Sequence, residues 1–320
     1  MRTVFLDRLT VDAGDLDFTA LEHAAPDITY YCTCTRHELA ERLRDAEIVI
    51  TNKVTLDASS LEAAPALKLI CLIATGTDNV DLDTARARHV AVCNIRDYCT
   101  NSVAQHVFAM ILGLTQQLKG YGELLRAGAW RLSPQFCMLD YRIGELENKV
   151  LGIVGYGVLG RAVARIGRAF GMQIVATTRD GQQPEDEHLF VVPLDELLQV
   201  SDVVSLHCPL TADTAKMINR ESLRMMKSDA LLINTARGGL VDSHALVEAL
   251  DQHVIGGAGI DVLEEEPPMQ GDPLLETHAP RLIITPHVAW ASVQARQTAL
   301  NRVSENVESF KLGGRLNRVV

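Results

Sequence analysis

An arginine, a glutamate and a histidine each follow a short apolar run in the second half of the sequence. They are Arg237, Glu266 and His287. In a parallel α/β sheet the carboxyl ends of the strands form one edge where ligands bind, so these side chains are expected to lie close together. Reduction of a 2-keto acid requires a cation, a proton donor and a hydride source. We therefore predict that Arg237 binds the carboxylate, that His287 donates the proton, and that Glu266 stabilises the protonated imidazole.

Each of these residues also has an ordinary structural interpretation. Arg237 could pair with Asp242 or Asp261 at the end of a strand. Glu266 is the last of three consecutive glutamates and could belong to a solvated acidic loop, and His287 could be one more loop histidine. The catalytic interpretation is favoured because such residues recur at successive strand ends.

The segment from Gly155 to Gly160 offers a site for the hydride source. It has the pattern Gly-x-Gly-x-x-Gly, follows the apolar run Val150–Val154 and precedes apolar residues at helical spacing. The first glycine permits a tight turn, Gly157 lets the backbone approach a pyrophosphate, and the third lets the helix pack closely on the strand. The N–H groups at the helix N-terminus then face the phosphates. We predict a dinucleotide-binding turn.

The residues after the next strand indicate which dinucleotide binds. A site specific for NAD carries Asp or Glu about 20 residues beyond the glycines. This sequence has Thr178 and Arg179 there. No carboxylate would repel a 2′-phosphate, and a guanidinium can bind that phosphate through two charge-assisted hydrogen bonds. We predict that NADP(H) is favoured, whereas NAD(H) remains possible if Arg179 is only a solvated loop cation.

Composition limits the class of protein. The chain has 320 residues, of which 47% are hydrophobic, and this length favours two domains. A net charge of −11 without a basic stripe argues against nucleic acid as a partner. We expect a cytoplasmic protein without membrane contact, because we find neither a long apolar run nor a signal-peptide cleavage site. Seven scattered cysteines indicate reduced thiols and no metal site.

Two series of alternating strands and helices predict the elements that position these residues. The first series predicts a small flavodoxin-like α/β unit, with strands at Thr3–Leu6, Ile28–Tyr31, Ile48–Thr51, Leu69–Ile73 and Ala91–Asn94. The second series predicts a doubly wound sheet of six parallel strands, at Val150–Val154, Gln173–Ala176, Val203–Leu206, Ala230–Asn234, Gly257–Ile260 and Leu282–Thr285.

Three segments lie outside these series. Residues 102–118 predict a long apolar helix, and residues 121–148 predict an irregular exposed arm that could form a subunit interface. A last helix over 294–312 is expected to return to the first unit. The predicted domains are 1–98 with 289–320, and 99–288.

Four motifs in this order resemble those of the D-isomer-specific 2-hydroxyacid dehydrogenases, and the likeness covers essentially the whole chain. The motifs are Gly155-x-Gly157-x-x-Gly160, Asn234-Thr235-Ala236-Arg237-Gly238, Asp261-Val262-x-x-x-Glu266-Pro267 and Thr285-Pro286-His287. The resemblance implies that Arg237, Glu266 and His287 are catalytic. It also implies pyrophosphate contacts at Val158 and Leu159, and nicotinamide contacts at Cys208, Pro209, Thr235, Ala236 and Asp261.

The same resemblance implies a substrate site and an assembly. The segment 74–81 is similar to the family's loop whose backbone N–H groups hold the substrate carboxylate, which implies substrate contacts at Thr75 and Gly76. The family further implies two Rossmann-like domains. The smaller, substrate-binding one is formed by both chain ends, and the cofactor domain forms a homodimer.

Residues 287–292 are similar to the branch that contains hydroxypyruvate reductases, glycerate dehydrogenases and glyoxylate reductases. This likeness implies that Trp290 and Ser292 contact a small polar substrate, and that hydroxypyruvate is reduced to D-glycerate and glyoxylate to glycolate. Thr178 departs from the family's cofactor-selecting Asp. Alternatives are another 2-keto acid, a formate or phosphite dehydrogenase of the same fold, and a cofactor-sensing corepressor.

Overall fold

The computed structural model describes residues 1–179, 186 and 189–320. The chain forms two compact units. The first comprises Met1–Cys99 and Trp290–Val320, and the second comprises Thr100–Ala289. Each boundary lies one residue after the one predicted from the sequence.

The first unit is built on a parallel sheet of five strands in the order β2-β1-β3-β4-β5. Its strands are β1 (Thr3–Phe5), β2 (Ile28–Tyr30), β3 (Ile48–Thr51), β4 (Leu69–Leu72) and β5 (Ala91–Cys93). Its helices, numbered along the whole chain, are α1 (Thr19–Ala24), α2 (Arg36–Leu43), α3 (Ala58–Glu62), α4 (Leu82–Ala87) and α13 (Val293–Lys311).

Apolar side chains cover both faces of this sheet, as parallel strands with helices on both sides require. One cluster joins Phe5 and Ile50 to Ala299 and Val303 of α13, and a second cluster lies around Val4. The helix near the C-terminus therefore completes the core of the N-terminal strands. The prediction that both chain ends form the smaller unit is confirmed.

The second unit contains a parallel sheet of seven strands in the order β12-β11-β10-β9-β6-β7-β8. They are β6 (Val150–Val154), β7 (Gln173–Thr177), β8 (Leu189–Val191), β9 (Val203–Leu206), β10 (Leu231–Asn234), β11 (Gly257–Ile260) and β12 (Leu282–Ile284). The helices are α5 (Thr100–Thr115), α6 (Leu118–Arg126), α7 (Ala129–Leu132), α8 (Val158–Ala169), α9 (Leu194–Val200), α10 (Arg220–Met225), α11 (Ser243–Asp251) and α12 (Pro273–Glu276).

The α/β class with two parallel sheets is confirmed, but two local predictions are wrong. The predicted sheet of six strands lacked β8, an edge strand of three residues whose Phe190 is 67% exposed. So short a strand has no recognisable hydrophobic period. The predicted helix to residue 118 ends earlier because Gln117 adopts a left-handed φ of 54°, and the arm after it contains α6 and α7. No glycine marks that break.

The topology brings the strand ends with candidate residues to one edge of the second sheet. The chain enters the sheet at the interior strand β6, and the strand order runs outward from it in both directions. Ligands of open α/β sheets bind at the carboxyl edge beside such a switch point. In the described part of the chain, no helix is long and apolar enough to cross a membrane.

Candidate functional site

The site contains a direct pair between Glu266 and His287. Glu266 Oε2 lies 2.5 Å from His287 Nδ1, and its other oxygen accepts from the Leu263 N–H at 2.9 Å. Their side chains are 31% and 25% exposed, so the pair is accessible from solvent. Because Nδ1 faces the carboxylate, Nε2 lies on the opposite side of the ring. This is the arrangement that an imidazole acid with a stabilising carboxylate requires.

The backbone presents His287 in a strained conformation. Its φ is +55°, in the left-handed region that costs a residue with a Cβ about 1–2 kcal/mol. The His287 N–H donates to the carbonyl oxygens of Asp261 at 2.7 Å and Thr285 at 3.0 Å. These bonds hold the turn, and strain of this kind is concentrated at functional sites.

The Asp261 carboxylate organises the loop that carries His287. It is 1% exposed. Oδ1 accepts from the Thr285 hydroxyl at 2.5 Å and the Val288 N–H at 2.9 Å, and Oδ2 accepts from the Ala289 N–H at 2.9 Å. The resemblance assigned Asp261 to the nicotinamide half of the cofactor. The structure places its carboxylate against the loop 285–289, and the cofactor contact stays a prediction.

A second residue of this network was not identified from the sequence. His106, on α5, has its Nε2 2.9 Å from the Thr285 hydroxyl. Since that hydroxyl gives its one proton to Asp261, it accepts from His106 Nε2–H. The two residues are 179 positions apart, so no local spacing could have revealed the contact.

Replacing Asp261 by Asn should lower the free energy of unfolding by about 1–3 kcal/mol, because an amide nitrogen would face a buried N–H donor. The measurement is chemical denaturation of the purified protein. Asp242→Asn is the matched control, because Asp242 caps α11 through the Ala245 N–H and Asn caps a helix equally well. Equal stability of the two variants would contradict the anchoring role.

Arg237 follows β10 and begins the 3₁₀ turn Gly238–Leu240. Its loop is held by Asn234, whose Nδ2 donates to the Arg237 carbonyl oxygen at 2.9 Å. A Cβ on Gly238 would lie 2.0 Å from the carbonyl carbon of Leu263, so only glycine permits this approach. The loops of Arg237 and Glu266 are therefore in contact. The two alternative partners of Arg237 have other roles, because Asp242 caps a helix and Asp261 holds the loop 285–289.

The glycine-rich turn has the geometry predicted for it. Gly155 has φ +97°, and a Cβ there would lie 2.8 Å from the Cys208 nitrogen. A Cβ on Gly160 would lie 2.3 Å from the Gly155 carbonyl oxygen. Gly157 is different, because no described atom lies within 4 Å of its Cβ position. The first and third glycines thus serve internal packing, whereas the second leaves open space beside the start of α8.

Residues of the neighbouring strand ends fit a dinucleotide. The Thr235 hydroxyl and His207 Nδ1 are buried, and neither has a hydrogen-bond partner among the described residues. Desolvation lowers the pKa of His207 to about 4, so the ring stays neutral near pH 7. Buried polar atoms without a partner are rare in proteins, and a bound dinucleotide would supply partners for these two. In the described part of the chain, no His, Cys, Asp and Glu cluster could hold a metal ion.

The other predicted cofactor residues lie at the same edge. Cys208 and Pro209 follow β9, Thr235 and Ala236 follow β10, and the two strands pair in parallel. Val158 and Leu159 are the first residues of α8, whose N-terminal N–H groups have no side-chain cap. Thr178 and Arg179 follow β7, which pairs with β6, and Arg179 is exposed.

Besides Arg237, four residues are predicted to contact the substrate, and all four lie in the first unit. Thr75 and Gly76 lie on the loop after β4, and the Thr75 hydroxyl donates to the Ile95 carbonyl oxygen at 2.9 Å. Trp290 makes an edge contact with Tyr98 at a centroid distance of 6.3 Å. The Ser292 hydroxyl accepts from the Ala295 N–H at 3.2 Å and so caps α13.

Comparison with known proteins places this geometry in a family. The family model described as "D-isomer specific 2-hydroxyacid dehydrogenase, NAD binding domain" matches residues 108–289. A glycerate dehydrogenase of Methylorubrum extorquens is 45% identical over 98% of this chain and 96% of its own. A hydroxypyruvate reductase of Blautia hydrogenotrophica is 36% identical over 100% of this chain and 99% of its own.

A solved structure is similar along the entire chain. An acyclic imino acid reductase in complex with NADPH and D-Arg has a TM-score of 0.88 and 27% identity, and the match covers 100% of both chains. The two-sheet fold and its glycine-rich turn therefore agree with the sequence relationships. The chain belongs to the D-isomer-specific 2-hydroxyacid dehydrogenase family and is an NAD(P)-dependent oxidoreductase that acts on a CH–OH group.

Proposed function

We propose that this enzyme reduces hydroxypyruvate to D-glycerate and glyoxylate to glycolate, with NADPH as the favoured reductant. The observation that carries the proposal is the 2.5 Å pair of Glu266 and His287 at the carboxyl edge of the second sheet. A keto acid needs a proton at its carbonyl oxygen, whereas oxidation of formate or phosphite does not. The pair therefore supports reduction of a carbonyl over those alternatives.

In the proposed mechanism the protein binds, orients and protonates the substrate. The dinucleotide supplies the hydride when bound. Arg237 binds the carboxylate and polarises the carbonyl group, and the N–H groups at Thr75 and Gly76 hold the same carboxylate. His287 Nε2 gives its proton to the carbonyl oxygen of the substrate. Glu266 holds the imidazole ring through its contact with Nδ1, which leaves Nε2 for the substrate.

The substrate class is inferred from the names of the similar proteins and from the residues that follow the loop 285–289. The similar proteins are named for glycerate and hydroxypyruvate, which are small and polar. We propose that Trp290 and Ser292 lie beside such a substrate and that the first unit is its domain. The second unit then binds the cofactor through the residues at its carboxyl edge.

Steady-state kinetics with hydroxypyruvate, glyoxylate and pyruvate, each with NADH and NADPH, test this proposal. We expect the first two acids to be reduced with a higher kcat/KM than pyruvate. Chiral analysis of the product should find the D-isomer of glycerate. An enzyme that reduces pyruvate best would have a different 2-keto acid as its substrate.

Replacing Glu266 by Gln should lower kcat/KM for hydroxypyruvate about tenfold, because a neutral amide takes the place of the carboxylate that contacts His287 Nδ1. The measurement is steady-state kinetics at saturating NADPH. Glu265→Gln is the control, because Glu265 is exposed in the same acidic run. An unchanged kcat/KM in Glu266→Gln would show that Glu266 is only a loop carboxylate.

We also propose that the enzyme is a homodimer formed through the arm 121–148. This arm exposes large apolar side chains, with Leu132 81%, Phe136 90% and Leu139 79% exposed. Exposed apolar clusters of this kind are typical of interaction surfaces. Light scattering coupled to size-exclusion chromatography measures the mass directly. A monomer at micromolar concentration would contradict the proposal.

For the compartment we propose the cytoplasm. All seven cysteines are free thiols, and Cys71 and Cys93 are buried on paired strands. Free thiols persist where glutathione and thioredoxin keep them reduced. Fractionation of the producing cells would test this placement.

A further inference from the structure

Asn94 follows β5 and connects the loop 74–77 to its neighbour. Its Nδ2 donates to the Thr75 carbonyl oxygen at 2.8 Å. The adjacent Ile95 N–H donates to the Ala74 carbonyl oxygen at 3.1 Å, and the Ile95 carbonyl oxygen accepts from the Thr75 hydroxyl at 2.9 Å. Two successive carbonyl groups of the loop are therefore directed toward residues 94 and 95.

The hydrogen bonds that hold the loop carbonyl groups bear on what the loop can bind. Among the described residues, the main-chain N–H groups of Ala74, Thr75, Gly76 and Thr77 have no hydrogen-bond partner. Thr75 is exposed and the other three are half-buried. A run of unpaired N–H groups in a loop is a main-chain site for an anion such as a carboxylate. The donors stay available only while the carbonyl groups are held by residues 94 and 95.

Asn94 is itself anchored by the C-terminal part of the chain. It is 5% exposed, and its carbonyl oxygen accepts from Nδ2 of Asn306 on α13 at 2.9 Å. Its N–H donates to the Asn317 carbonyl oxygen at 3.2 Å, and Asn317 Nδ2 donates to Asn306 Oδ1 at 2.9 Å. The Val319 N–H adds a bond to the Val92 carbonyl oxygen at 2.7 Å. The buried Asn94 and Asn306 and the half-buried Asn317 thus form one network.

We propose that Asn94 is the positioning residue of the substrate-carboxylate loop and that the last five residues hold it in place through Asn306 and Asn317. The inference rests on the proposed function, because it assigns the N–H groups of the loop to the substrate. Asn94 Oδ1 has no partner within the described structure, so the donor Nδ2 alone ties this side chain to the loop. Without that donor, the Thr75 carbonyl loses its link to Asn94.

The variant Asn94→Asp tests the proposal, because it keeps the shape and replaces the donor by an acceptor. The KM for hydroxypyruvate should rise about tenfold, whereas kcat should stay within about threefold and the KM for NADPH should not change. Hydrogen–deuterium exchange without substrate should become faster in peptides that cover residues 74–79. The control is Ser304→Ala, which removes a buried hydroxyl of α13 that donates only to Leu300, and it should behave like the parent.

A second variant decides the question if Asn94→Asp does not fold. Asn317 has φ +52°, so Asn317→Gly keeps the backbone and removes only the bond to Asn306. It should raise the same KM about two- to threefold with faster exchange in the same peptides. Parent-like KM and exchange in the folded variants would overturn the inference. Failure of the proposed function is distinguishable, because the parent would then reduce none of the 2-keto acids, while the exchange measurement still tests Asn94.

Discussion

The variant His287→Ala is expected to reduce hydroxypyruvate about 100-fold or more slowly than the parent, because general acid catalysis contributes an effect of that size. The dissociation constant for NADPH, measured by fluorescence titration, should be nearly unchanged. His278→Ala is the control, since His278 is an exposed histidine of the same unit. An unimpaired rate in His287→Ala would remove the proton donor from the mechanism.

The left-handed backbone at His287 calls for a second variant. Alanine disfavours a φ of +55°, so His287→Ala could also shift the loop that Asp261 holds. Asparagine tolerates this conformation and cannot act as a general acid near neutral pH. The same loss of turnover in His287→Asn, with a parent-like Tm, would assign the effect to proton transfer. Recovery of activity in that variant would instead assign it to the backbone.

Cofactor choice should depend on the two residues after β7. Thr178 cannot repel a 2′-phosphate, and the exposed Arg179 can pair with it. The parent should therefore have a higher kcat/KM with NADPH than with NADH. A charge-assisted hydrogen bond contributes about 1.5–3 kcal/mol, which corresponds to roughly ten- to more than a hundredfold. The assay follows absorbance at saturating hydroxypyruvate with each cofactor varied.

The double variant Thr178→Asp with Arg179→Ala should reverse this preference. The new carboxylate would accept from the ribose hydroxyls and repel the phosphate. Arg165→Ala is the control for a general loss of positive charge, because Arg165 is exposed on α8 and lies beyond its first two turns. A parent that prefers NADH tenfold or more would show that Arg179 is a solvated cation, and NAD(H) would then be the cofactor.

The sequence alone determined the strands and the residues at their ends. Apolar runs such as Val150–Val154 and Leu231–Asn234 are buried because their composition suits a covered parallel sheet. The polar residues after each run then lie at the carboxyl edge by the geometry of the fold. This is why Glu266 and His287, 21 positions apart, could be predicted to meet.

Only the tertiary structure decided which distant groups hold those residues in place. Asp261 accepts from the Val288 and Ala289 N–H groups because β11 and β12 are neighbours in the sheet. Asn306 reaches Asn94 across 212 positions because α13 returns to the first unit. Periodicity and turn chemistry act over a few residues, whereas hydrogen-bond partners depend on strand order and on the packing of the helices. The candidate catalytic residues were therefore visible in local patterns, whereas the groups that hold them in place were not.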